Sequence, residues 1–210
     1  MSITRKGQIV TVLYMLIIAV VFTSFVATVN ALLNPAIQAN VRAREVQGIF
    51  RAMDFQIEED LPADEIEELA KKHLKQVRTE RTVYYCGLGY QGRIMALIFP
   101  VEGSGFWGPV VGYIGINPDD RTIINLAFTR HTETPGLGAR ITEQWFTDQF
   151  RRMALPEEGE TMRLVQEGKP KGPNDLDAIT GATGTSGAVA NMLNTTCDNI
   201  RAVIREREKK

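Results

Sequence analysis

The stretch VVGYIGINPDDRTIINLAF, residues 110–128, holds two β-rich apolar runs on either side of Asn117-Pro118-Asp119-Asp120. Asparagine, proline and aspartate favour turns because they fix or tolerate the backbone angles that turns need. Two such runs around a strong turn signal predict an antiparallel hairpin. A second hairpin is predicted just upstream, where RTVYYCGLGY and GRIMALIFP meet at residues 90–92.

Helical patterns flank these strands. The segment LPADEIEELAKKHLKQV, residues 61–77, repeats apolar residues at helical spacing up to Leu74 and Val77. A second helix is predicted to start at about Arg140, and the last helix carries an unbroken apolar face from Val189 onward. Strands grouped between helices predict an α+β domain with helices packed on a mainly antiparallel sheet.

The N-terminal part of the chain is strongly apolar. Residues 7–41 contain no Asp, Glu, Lys or Arg, and their centre, residues 9–27, is long enough to cross about 30 Å of hydrocarbon as a helix. A cleaved signal peptide is the alternative, but the apolar run is longer than a usual signal core, which favours a retained anchor. Arg5 and Lys6 precede the span and favour an N-terminus inside the cell.

The predicted organisation therefore has three parts. Residues 1–40 form the transmembrane anchor, residues 41–60 a juxtamembrane segment, and residues 61–210 a domain in the periplasm or outside the cell. An inner-membrane location with a single pass follows from this order.

Composition excludes several classes of function. The 24 Lys and Arg residues nearly balance the 25 Asp and Glu residues, so the chain has no electrostatic footprint for nucleic acid. Cys86 and Cys197 lack the clustering that zinc or iron–sulfur ligation requires, so no metal site is expected. A disulfide between these two cysteines remains an alternative to two buried free thiols.

Three glycine-rich stretches are too specific for packing alone: GSGFWGP at residues 103–109, HTETPGLG at 131–138 and DAITGATGTSG at 177–187. The last stretch runs into the C-terminal helix, whose first N–H groups and positive dipole end attract an anion such as phosphate. A Walker lysine and the GxGxxG spacing are both missing, which disfavours an ordinary nucleotide loop. The alternative is a simple helix cap made by Thr183, Thr185 or Ser186.

The segment DAITGAT, residues 177–183, resembles the flavinylation motif D-x-x-[ST]-G-A-T of two related respiratory complexes. These are the sodium-translocating NADH:quinone oxidoreductase and the ferredoxin:NAD (Rnf) oxidoreductase. The other two glycine-rich stretches and the N-terminal anchor resemble the same FMN-carrying subunits, in the same order. Thr180 stands where serine is frequent in the family. Which of the two complexes the chain resembles more closely stays open.

The resemblance implies an electron-transfer subunit with FMN joined to Thr183 through a phosphoester. It also implies a separate flavin transferase for maturation, other membrane and redox subunits as partners, and no catalysis by this chain alone. The resemblance further implies cofactor contacts at Asp177, Thr180, Gly181 and Ala182 of the motif. The turn made by Pro135, Gly136, Leu137 and Gly138 allows close backbone approach to a flat ring, whose polar edge Glu133 and Thr134 would hydrogen-bond; the alternative is a turn that only joins a strand to a helix. With the resemblance, Trp107 is expected beside the flavin, and a core position is its alternative. A membrane-anchored, non-redox module that binds a phosphate-bearing ligand reversibly is the alternative function, and a purely structural role is a third.

Overall fold

The computed structural model describes residues 5–58, 61–166, 168–169 and 172–209. The chain divides into two compact units, Met1–Arg42 and Ala43–Lys210. Within the described residues, one helix, Gly7–Ala52, is long and apolar enough to cross a membrane by length and composition. In the first unit its large apolar side chains, such as Phe22 and Leu32, are exposed.

The helices are α1 (Arg5–Ala52), α2 (Ala63–His73), α3 (Gln144–Asp148) and α4 (Thr183–Glu208), with 3-10 turns at Tyr90–Gly92 and Gly138–Thr142. The strands are β1 (Leu74–Arg78), β2 (Val83–Leu88), β3 (Ile94–Ser104), β4 (Pro109–Ile116), β5 (Ile123–Arg130), β6 (Arg163–Val165) and β7 (Asp175–Asp177).

A five-stranded antiparallel sheet with the order β1-β2-β3-β4-β5 forms the centre of the second unit. Both predicted hairpins are present, as β2–β3 and β4–β5, and Ile114 pairs with Leu126 across the second one. The predicted α+β fold, with helices on a mainly antiparallel sheet, is confirmed. The parallel pair β6–β7 was not predicted, because its strands are only three residues long.

The sheet is covered on both faces. Leu97 and Phe99 belong to the core cluster that also contains the apolar stripe of α4, whereas Ile98 packs with Ile49 and Ala52 at the end of α1. Because neighbouring strand residues point to opposite faces, a strand buried on both sides is apolar at every position. This explains why the run IMALIFPV is continuous rather than alternating.

Two helix predictions are wrong in extent. Residues 74–78 form the edge strand β1, in which Leu74 pairs with Gly87, because sheet pairing overrides the helical spacing. The helix expected from about Arg140 is only the 3-10 turn and the five-residue α3. It stops there because Arg152 has a φ of 61° and its N–H donates to the carbonyl of Ile123 at the start of β5, whose own N–H donates to the carbonyl of Met153.

The segment expected to be juxtamembrane, residues 41–60, contains core residues of the second unit. Val46, Ile49 and Phe50 are buried, and Phe50 is fully enclosed. The predicted three-part division itself stays a prediction.

Both cysteines are buried free thiols, so the disulfide alternative is not formed. Burial raises the pKa of Cys197 to about 12, which keeps that thiol protonated and unreactive.

Gly115 of β4 lies directly beneath the end of α1, where an added Cβ would sit 2.0 Å from the backbone oxygen of Ala52. We expect Gly115→Val to lower the free energy of unfolding of the domain by about 1–3 kcal/mol, because the backbone of α1 must move. Gly187→Ala is the matched control, since its Cβ would meet no atom within 4 Å. Helix propensity predicts a gain there of up to about 1 kcal/mol. Chemical denaturation of both full-length proteins measures the two changes, and an unchanged midpoint for Gly115→Val would contradict the contact.

Candidate functional site

The three glycine-rich stretches meet around one cleft of about 230 Å³. The first contributes the aromatic tip, residues 105–108, at the turn between β3 and β4. The second contributes the TPGLG turn, residues 134–138, and the third contributes the start of α4. The lining residues are Phe106, Trp107, Glu133, Thr134, Leu137, Gly138, Gly181, Ala182, Thr183, Gly184 and Thr185.

Most of the residues named by the sequence lie in this cleft, and four do not line it. The four are Asp177, Thr180, Pro135 and Gly136. The sequence interpretation missed Phe106, Gly184 and Thr185 as lining residues, although all three lie inside the stretches it named. His131 also lies outside the lining, and its buried Nδ1 has no hydrogen-bond partner in the described part of the chain.

The start of α4 leaves one hydroxyl free in the cleft. The side chain of Thr183 is exposed and makes no hydrogen bond to any described residue. The hydroxyls of Thr185 and Ser186 are buried and engaged: Thr185 donates to Glu133, and Ser186 accepts from the backbone N–H of Ile179 at 3.1 Å. Of the hydroxyls at the start of α4, that of Thr183 is therefore the one left without a partner in the cleft.

The helix-cap interpretation of these hydroxyls is wrong. The N-cap position is Ala182, and no side chain caps the helix. Thr183 is the first helical residue, so the backbone N–H groups of Thr183, Gly184 and Thr185 have no acceptor in a preceding helical turn. They point out of the positive end of a 26-residue helix.

The motif before the helix is a turn whose backbone N–H groups make hydrogen bonds to other parts of the domain. Asp177 N–H donates to Oε1 of Gln149 at 2.7 Å, and Ala178 N–H donates to the carbonyl of Val165 at 2.7 Å. Gly181 has a φ of 79°, a left-handed conformation that favours glycine. These contacts place the first turn of α4 at the mouth of the cleft.

Glu133 is a buried acid, 5% exposed, between the other two stretches and the helix. Its Oε1 accepts a hydrogen bond from the backbone N–H of Trp107 at 3.0 Å, and its Oε2 accepts one from the Thr185 hydroxyl at 2.6 Å. One side chain thus touches all three stretches.

The electrostatics of the cleft are unusual for an anion site. Its lining contains no Lys, Arg or His, and its one ionisable side chain is the acid Glu133. Arg140, which follows the TPGLG turn, pairs with Glu143 at 3.1 Å and lies over the Trp145 ring. Among the described residues of the cleft, the backbone N–H groups at the start of α4 and the dipole of that helix are what attract a phosphate.

The cleft residues lie in a part of the chain that matches known proteins. Residues 105–198 match the family model described as FMN-binding domain. That stretch, less than half of the chain, holds all the cleft residues.

Curated relatives are described as the C subunit of Na(+)-translocating NADH-quinone reductase. The Chlamydia pneumoniae protein is 34% identical over 114 residues, which are 46% of this chain and 36% of that protein. The Yersinia pestis protein is 32% identical over 113 residues, 52% of this chain and 42% of that protein. The Pseudomonas aeruginosa protein is 29% identical over 148 residues, which are 68% of this chain and 54% of that protein. The matches thus span between about a third and just over half of the relatives' length.

Two solved structures share the fold. The C subunit of the same reductase from Parabacteroides distasonis superposes with a TM-score of 0.64 at 26% identity, covering 78% of this chain and 92% of that one. NqrC from Shewanella oneidensis superposes with a TM-score of 0.63 at 20% identity, and the superposition covers 74% of this chain and 91% of that one. The family match and these relatives together support an FMN-binding domain over residues 105–198.

Proposed function

We propose that the protein is a membrane-anchored electron-transfer subunit that carries one FMN, joined through a phosphoester to Thr183. The complex would be an ion-translocating oxidoreductase, either of the NADH-quinone reductase type to which the relatives belong or of the related Rnf type. The observation that carries the proposal is the free Thr183 hydroxyl, which lies in the cleft, at the start of α4, within the DAITGAT motif.

The charge of the cleft favours a covalent bond over reversible binding. A free phosphate monoester is close to a dianion at neutral pH, and a buried acid beside the helix start repels it. The cleft lining offers no basic side chain to offset that repulsion. A phosphoester to Thr183 holds the phosphate in place without needing such a side chain, and it still places the phosphate at the N–H groups of α4.

The size of the cleft fits a cofactor that exchanges electrons with other proteins. Pockets that enclose a ligand usually have volumes of about 300–1,000 Å³, and this cleft has about 230 Å³. Trp107 and Phe106 at its rim are 68% and 61% exposed. A flavin held here remains open on one side. FMN, when bound, supplies the redox chemistry, while Thr134, Leu137 and Trp107 provide contacts and orientation.

Attachment requires a separate flavin transferase. A threonine hydroxyl is a weak nucleophile and needs a base beside it. No described residue hydrogen-bonds the Thr183 hydroxyl, and the acid in the cleft uses both of its oxygens elsewhere. In this proposal Asp177, which lies outside the cleft, belongs to the sequence that the transferase recognises.

Partner subunits would supply the ion path. Transport needs polar groups in a bundle of several helices. In the apolar part of α1, the Thr11 and Thr28 hydroxyls donate to backbone oxygens of their own helix, those of Gly7 and Ser24. The helix fits the role of an anchor in the inner membrane, with the domain on the periplasmic or outer side.

The orientation gives a testable expectation. The C-terminus at Lys210 should lie in the periplasm or outside the cell, because Arg5 and Lys6 keep the N-terminus inside. An alkaline phosphatase fused after Lys210 should therefore be active, and a green fluorescent protein fused there should not fluoresce. Alkaline phosphatase and green fluorescent protein fusions, which are active on opposite sides of the membrane, measure this. Cytoplasmic fluorescence of the fusion would contradict the proposed location.

Flavin fluorescence after denaturing electrophoresis separates the three candidate functions. We expect a fluorescent band when the protein is expressed together with a flavin transferase, and none without it. A reversible phosphate-binding module or a purely structural protein gives no fluorescent band in either case.

A further inference from the structure

Glu133 holds the two walls of the cleft together. One wall is the aromatic tip, whose Trp107 N–H donates to Oε1, and the other is the start of α4, whose Thr185 hydroxyl donates to Oε2. Both donors point at a side chain that is 5% exposed. Both oxygens of Glu133 act as acceptors in this arrangement.

The surrounding backbone is built to fit this carboxylate. A Cβ added at Gly105 would lie 2.4 Å from Oε1, and one added at Gly138 would lie 2.6 Å from Oε2. A residue with a Cβ fits at neither position unless the Glu133 side chain or the backbone moves. Each oxygen of Glu133 therefore faces a glycine from a different stretch, which explains glycines that the hairpin and the TPGLG turn do not need for their backbone angles.

The aromatic tip has a second, apolar contact with α4, because a Cβ added at Gly184 would lie 2.3 Å from the Phe106 ring. The rings of Phe106 and Trp107 are mostly exposed and stack on each other edge-on, with centroids 5.2 Å apart. The turn closes on itself through the Gly105 N–H and the Gly108 carbonyl at 2.7 Å. The hydrogen bond to Glu133 is thus the polar contact that ties the tip to the rest of the cleft.

We propose that Glu133 is a positioning residue that ties the backbone of the aromatic tip, at Trp107, to the start of α4 and so sets the width of the cleft beside Thr183. This inference rests on the proposed function for its consequence, the environment of the flavin. It departs from the sequence interpretation, in which Glu133 binds the ring directly, because both of its oxygens are already engaged.

The test uses the full-length protein, made with and without a flavin transferase, in a Trp145→Phe background. The chain has two tryptophans, so Trp107 is then the only fluorescent one. In the protein without flavin, Glu133→Ala should reduce the fluorescence anisotropy of Trp107. Glu133→Gln should keep the wild-type anisotropy, because its amide oxygen accepts from Trp107 and its NH₂ donates to the Thr185 oxygen. Thr185→Val, which removes one donor without changing the shape, should give an intermediate anisotropy.

In the flavin-loaded protein, Glu133→Ala should also shift the visible absorbance and the midpoint potential. Anisotropy, spectrum and potential all equal to wild type in a folded Glu133→Ala protein would overturn the inference. If circular dichroism shows that this variant does not fold, Thr185→Val decides, and wild-type anisotropy in it would overturn the inference equally. If Glu133→Ala lowers the anisotropy of Trp107 but wild type receives no flavin even when it is made with a transferase, the positioning role holds and the proposed function is refuted.

Discussion

Thr183→Val is expected to remove covalent FMN completely while leaving the domain folded. Valine keeps the β-branched shape of threonine and removes only the hydroxyl that would form the phosphoester. That hydroxyl is exposed and has no hydrogen-bond partner among the described residues, and the helix has no side-chain cap to lose. The free energy of unfolding should therefore change by less than about 0.5 kcal/mol, as for an ordinary surface substitution.

Intact-mass measurement after expression with a flavin transferase checks this result. Wild type should carry the mass of FMN less one water, and Thr183→Val should carry none. Thr180→Val is the matched control, because Thr180 lies in the same motif with an exposed side chain but outside the cleft. That variant should keep covalent flavin. A Thr183→Val protein that still carries the added mass would show that another residue is the acceptor.

Gly138→Ala is expected to disturb the flavin environment strongly without removing the flavin. The new Cβ would lie 2.5 Å from the Thr185 hydroxyl oxygen and 2.6 Å from Oε2 of Glu133, so the hydrogen bond between these two side chains must break or move. A hydrogen bond to a charged group contributes about 1.5–3 kcal/mol. We expect a loss of stability of that order, with shifts in the visible spectrum and the midpoint potential.

Gly136→Asn is the control in the same turn. Gly136 has a φ of 73°, which asparagine tolerates better than other residues, and its Cβ would meet no atom within 4 Å. Its flavin spectrum and potential should stay close to wild type. Redox titration of both variants measures the difference. Equal behaviour of the two would contradict the close packing at Gly138.

The sequence predicted the parts of the fold that local signals specify. The turn at residues 117–120 and the apolar runs around it specify the β4–β5 hairpin, the junction at residues 90–92 specifies the β2–β3 hairpin, and the stripe from Val189 onward specifies α4. The three glycine-rich stretches were recognisable because each combines glycines with polar residues next to a regular element. These signals act over a few residues, and no tertiary contact overrides them at these places.

The parts of the fold and of the cleft that the sequence did not predict are formed by contacts between residues far apart in the chain. Glu133 and Thr185 are 52 residues apart, and no local pattern links them. The edge strand β1 carries helical spacing, and only its pairing with β2 makes it a strand. Likewise, the burial of Phe50 arises from packing against α2 and its neighbours in the same cluster, which the residues around it do not specify.

The most direct test of covalent attachment is peptide mapping of the wild-type protein. A tryptic digest of protein made with a flavin transferase, analysed by tandem mass spectrometry, locates the added mass on a single residue. We predict FMN less one water on Thr183, with Thr180, Thr185 and Ser186 unmodified in the same peptide. The same mass on any other residue, or its absence from every peptide of the digest, would contradict the account.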